Sequence, residues 1–95
     1  MDKKEIRNNA KSVIDDIYNK INELEKKYDD ASKDGKKVLD EKMKDLKKRR
    51  DEAEKKFEEL EKAGEGKVKE AKKAFDEASK SFKEGFEKLG SIFKS

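Results

Sequence analysis

The chain has 95 residues, one domain at most, and 54% of them are Asp, Glu, Lys or Arg, about twice the share of an ordinary globular domain. Leu, Ile, Val and Phe supply only 18 residues while the net charge is only +3, so the composition excludes both a thick globular core and a strongly self-repelling tail. Cys and His are absent, which removes disulfides, thiolates and the commonest metal ligand and general base; the expectation is a protein that is not an enzyme, with no cofactor and no metal.

The first predicted element is a helix over residues 3–33. Ile6, Ala10, Val13, Ile17, Ile21, Leu24, Tyr28 and Ala31 recur in steps of three and four, which stack one side of an α-helix and no side of a strand. Upstream of this stripe, MDKKEIRNNAKS lacks the apolar run of a secretory signal, and no stretch of about 18 apolar residues occurs anywhere. The expected location is the cytoplasm.

Asp34-Gly35 is the first interruption. A glycine here can close a helix in the left-handed conformation that other residues avoid. The stripe keeps its phase across it through Ala31, Gly35 and Leu39, however, so a single helix over 3–62 satisfies the same pattern.

The middle helix is placed at 36–62, with Leu39, Met43, Leu46, Ala53, Phe57 and Leu60 on its stripe. Residues 36–50 hold eight Lys or Arg against three acids, and residues 51–65 hold seven acids against three Lys, a balance of +5 followed by −4. Two such dipolar rods match when antiparallel and clash when parallel, so an antiparallel homodimer is the favoured oligomer, with another helical protein as the other partner class. Lys47-Lys48-Arg49-Arg50 has the look of a nucleic-acid patch, but Asp51, Glu52 and Glu54 follow at once and no sustained basic surface results; no nucleic-acid partner is expected. Arg50 falls on the stripe itself, where a charge sets register at some cost in stability.

Ala63-Gly64-Glu65-Gly66 is the stronger break, since two glycines cost about 2 kcal/mol relative to alanine inside a helix. Gly64-Glu65-Gly66-Lys67 lacks the spacing, the Ser or Thr after lysine and the preceding strand of a phosphate-binding loop. Acidic neighbours such as Asp15-Asp16 and Asp29-Asp30 point about 100° apart on a helix and chelate poorly.

The third helix is placed at 67–93. Written in elevens, EKAGEGKVKEA, KKAFDEASKSF and KEGFEKLGSIF align, a period that favours a straight or slightly right-handed path. Phe75, Phe82, Phe86 and Phe93 fall within about 40° of one another on a helical wheel. They read first as core. The other reading is a lipid or partner face made of Phe75, Phe82, Phe86, Leu89 and Phe93, although the polar side mixes lysines with acids where anionic lipid would select a basic face.

The run DEKMKDLKKRRDEAEKKFEELEKAGEGKVKEAKKAFDEASKSF resembles a widespread family of small bacterial coiled-coil proteins. In that family an Lxx(K/R)RxEAxxKxxEL stretch, here Leu46 to Leu60, leads through a Gly-containing break into a second amphipathic helix. The likeness spans about 36–93, and Val68 and Phe75 stand in the neighbourhood where the family often has Trp. It implies a soluble, sometimes stress-related helical protein without catalytic residues.

The expected fold is therefore all-α: a single domain over 1–95, an elongated antiparallel bundle or coiled coil of three helices (3–33, 36–62, 67–93), or alternatively a long helix 3–62 that turns back once at 64–66. Its seam is Ile17, Ile21, Leu24, Leu46, Phe57, Leu60, Phe75, Phe82 and Phe86. Ordering costs about 1.5 kcal/mol per residue and a large buried apolar side chain returns about 1.5 to 3, so a lone chain is marginal and self-association or a partner is expected. The expected function is helix-to-helix association of a structural or scaffolding kind, with a membrane-surface or protective amphipathic protein as the second class.

Overall fold

A computed structural model describes the backbone of residues 2–93 and the side chains of 2–89. Three helices make up almost all of it: α1 (Lys3–Asp30), α2 (Lys33–Lys62) and α3 (Val68–Phe93), the last entered through a single 3-10 turn, Glu65–Lys67. They fold up, down and up into a body of 50 × 20 × 16 Å. The long helix 3–62 does not form, because the chain reverses between α1 and α2 as well as between α2 and α3.

The first reversal lies at Ala31-Ser32, and Gly35 is not a helix terminator. Ala31 is extended, at φ −80° and ψ 155°, and its N–H donates to the Tyr28 carbonyl at 3.2 Å, closing α1 at Asp30. Ser32 is extended as well, and its hydroxyl accepts from the Gly35 N–H at 3.2 Å. Gly35 thus sits in the first turn of α2, where Ser32 satisfies one of the orphan donors and Asp34 complements the positive end of the helix. The expected bounds 3–33 and 36–62 become Lys3–Asp30 and Lys33–Lys62. At the start of α1, Asp2 caps in the same manner, accepting from the Glu5 N–H at 2.9 Å.

The second reversal repeats the device. Ala63 is extended, at φ −67° and ψ 133°, its N–H donates to the Leu60 carbonyl at 3.2 Å, and Gly64 follows at φ −75° and ψ 167°. No described glycine has a positive φ, so neither turn uses the conformational freedom for which glycine is usually chosen. A Cβ on Gly66 would meet nothing within 4 Å. Gly66→Ala is accordingly expected to stabilise the chain by about 0.4 to 1 kcal/mol by restricting the unfolded state, seen as a higher urea midpoint at unchanged slope. A lower midpoint would show that the turn needs its glycine.

α2 packs against both neighbours along its length, whereas α1 and α3 meet over much less of theirs. Leu39, Leu46, Ala53 and Leu60 of α2 are fully buried between the other two helices. The core divides into two clusters. One joins Ile17, Ile21 and Leu24 to Leu39, Leu46, Phe82 and Leu89. The other joins Ile6 and Ala10 to Leu60, Val68 and Phe75, and Ile14 touches both.

Candidate functional site

The expected seam is buried within one chain. Ile17, Ile21, Leu24, Leu46, Leu60, Phe75 and Phe82 are enclosed, and Phe57 and Phe86 are half-buried at its edges. Phe57 meets Phe75 with ring centroids 6.2 Å apart, and Phe86 stacks on Phe82 at 6.3 Å and 18°. Of the residues expected on a lipid or partner face, Phe75, Phe82 and Leu89 are core, Phe86 lies beneath the Lys20 ammonium, 5.5 Å from the ring centroid, and the Phe93 side chain lies outside the described residues. Leu39 and Leu60, on the stripe of the dipolar helix, are likewise enclosed, so the apolar stripe of α2 is already taken up inside the chain.

The basic run of α2 is largely engaged in contacts of its own chain. Lys47 reaches Glu25 of α1 at 3.6 Å, and Arg50 lies 5.3 Å from the Tyr18 ring while pairing with Asp51 at 3.0 Å. Lys47 and Arg50 thus reach α1, and Arg49 reaches α3. Its Nη1 donates to the Ser81 carbonyl of α3 at 2.7 Å while its Nε holds Asp45 at 3.0 Å. The approach depends on Gly85, one turn further along α3: a Cβ there would meet Arg49 Nη1 at 3.0 Å and Leu46 Cδ2 at 3.1 Å.

Because α1 and α3 are both held by α2 and only lightly by each other, an open groove runs between them. It has three segments. The first, of about 490 Å³, lies between Lys3 and Ile6 of α1 and Val68 and Lys72 of α3. The second, of about 190 Å³, has Ile6, Ala10 and Phe75 on its walls and Leu60 of α2 at its floor. The third, of about 640 Å³, is bounded by Val13, Ile17 and Lys20 on one side and Ser79, Phe82 and Lys83 on the other. From Asp2 to Lys20 the groove covers about 27 Å at 1.5 Å per residue, five turns of helix.

Its floor is apolar and its rim carries both signs. Val13, one of the three large apolar residues left exposed among the described residues, stands on the α1 wall with 38% of its surface open. Opposite it, the Ser79 hydroxyl is buried without a hydrogen-bond partner among the described residues. Rim charges include the pairs Lys20 with Asp16 at 2.9 Å and Lys72 with Asp76 at 2.7 Å, both spaced i,i+4 along one helix. Such a surface has the chemistry to take an amphipathic helix of nearly neutral charge. The apolar spacing alone does not mark the groove, since Val13 belongs to the same stripe as the buried Ile17.

Among the described residues no three carboxylates gather as a metal site, and no helix is long and apolar enough to cross a membrane. No protein-family model, curated protein or solved structure matches the chain.

Proposed function

We propose that this chain acts by helix-to-helix association, as a non-enzymatic structural or scaffolding protein of the cytoplasm, in keeping with the bacterial, sometimes stress-related coiled-coil proteins that its sequence resembles. The observation that carries the reading is the five-turn groove between α1 and α3, apolar at its floor and charged with both signs at its rim. Helix-in-groove binding uses such a surface, with apolar residues at i, i+3, i+4 and i+7 of the incoming helix. The balanced rim favours a protein helix over a nucleic acid or an anionic bilayer, both of which select a sustained basic face. A lipid-facing role for the Phe-rich helix would require α3 to leave the bundle and expose Phe75, Phe82 and Leu89, which are enclosed in it.

The test is circular dichroism with and without anionic vesicles, together with a thermal melt. The expected result is full helicity and a cooperative melt in buffer, indifferent to lipid. A chain that is weakly helical alone and gains helix sharply with vesicles would replace this reading with the membrane-surface one.

A further inference from the structure

We infer that the occupant of the groove is a second copy of this chain, docked antiparallel so that the α1 and α3 pairs of two molecules close into a four-helix bundle with an α2 on each outer side. The inference rests on the helix-association reading above and names its partner. It also moves the antiparallel pairing from α2, whose apolar stripe is buried within the chain, to α3.

The charge order along the groove side of α3 carries the argument. A two-fold axis perpendicular to α3 at the level of Ala78 sets each residue opposite the one equally far beyond that level in the other copy. Lys69 then meets Glu87, Lys72 meets Glu84 and Asp76 meets Lys80, three pairs and each of opposite sign. All six residues line the groove. Along α3 this axis also makes one like-charged pair, Lys83 with Lys73, against the three of opposite sign. A parallel arrangement would instead lay α3 over the partner's α1, and these three pairs would not form.

One observation independent of charge falls at the same level: Val13, the exposed apolar residue of the groove wall, lines the groove segment at the axis. Two copies meeting here would cover Val13. The size is adequate as well. A long face of a body 50 Å by 16 to 20 Å presents on the order of 800 Å², the contribution of one partner to a standard interface.

Sedimentation equilibrium of the full chain, from micromolar to millimolar, tests the inference with four proteins: wild type, Lys69→Glu, Glu87→Lys and the double reversal. Each single change acts twice in a symmetric dimer, turning two attractions into two repulsions, so each is expected to raise the dimer Kd by about tenfold or more. The double reversal is expected to return it to within about threefold of wild type. Val13→Glu, on an exposed position that the monomer does not need, is expected to abolish the dimer while leaving the helical spectrum unchanged.

A dimer indifferent to Val13→Glu, or single reversals that the double change fails to rescue, would overturn the docking. A chain that melts cooperatively yet stays monomeric at millimolar concentration would overturn self-pairing and leave the helix-association reading in place. A chain without helix in buffer would remove both.

Discussion

Phe82→Ala is expected to lower stability by about 3 to 5 kcal/mol, the usual cost of removing a fully enclosed aromatic ring from a packed core. Phe82 is 1% exposed and the largest of the fully buried side chains among the described residues; it packs in the cluster that joins all three helices. A chain of this length holds roughly 5 to 14 kcal/mol in total, and a core this thin belongs at the lower end. The variant should therefore lose most of its folded population margin, with a urea midpoint lower by about 2 M or more. Phe86→Ala supplies the comparison. Phe86 stacks on Phe82 but is only half-buried, so its removal should cost about half as much. If Phe82→Ala melts like wild type, the Phe line is not core in solution, and the lipid reading regains its footing.

The helices and their buried sides were legible because a step of three and four residues has one geometric meaning. Ile17, Ile21, Leu24, Leu46, Leu60, Phe75 and Phe82 follow from that spacing and are all enclosed. The first turn is set by Ser32 and not by Gly35. It makes no use of glycine's left-handed freedom: the chain turns on two residues with negative φ, Ala31 and Ser32, and the serine hydroxyl begins α2. The phase of the stripe could not reveal the break, since the stripe faces the same core on either side of it.

The groove was hidden for a different reason. A stripe reports that a helix has an apolar side, but how much of that side a neighbour covers depends on the angle at which three helices meet. Val13 and Ile17 are equivalent in pattern, yet Ile17 is enclosed and Val13 is open, because α1 and α3 are each drawn toward α2 more than toward each other. Arg49 was hidden by composition. In a run of four basic residues nothing in the sequence separates the one that reaches α3 from those that reach α1, and only the distant Gly85 marks where the Arg49 guanidinium fits.

The Arg49–Gly85 contact has an outcome that neither residue would suggest alone. In an isolated helix, Gly85→Ala would stabilise by about 1 kcal/mol. Here the new methyl would stand 3.0 Å from Arg49 Nη1 and 3.1 Å from Leu46 Cδ2, closer than side chains rest comfortably, so the guanidinium must shift by a few tenths of an ångström, which strains its bond to the Ser81 carbonyl. The two effects oppose each other, and Gly85→Ala is expected to be nearly neutral. Gly85→Leu adds volume that no small movement of Arg49 can accommodate, and it should cost about 1 to 3 kcal/mol through overpacking between α2 and α3.

A double-mutant cycle isolates the cause. Arg49→Ala in the wild type removes a charge-assisted bond worth about 1.5 kcal/mol to the helix pair. In the Gly85→Ala background, where that bond is already strained, the same change should cost less by at least about 0.5 kcal/mol. Additive effects, within about 0.3 kcal/mol by urea denaturation, would mean that Arg49 does not hold α3 through the gap left by Gly85. A coupling of the expected size would place the tie between α2 and α3 on the level of α3 that carries Glu84 and Glu87 of the groove.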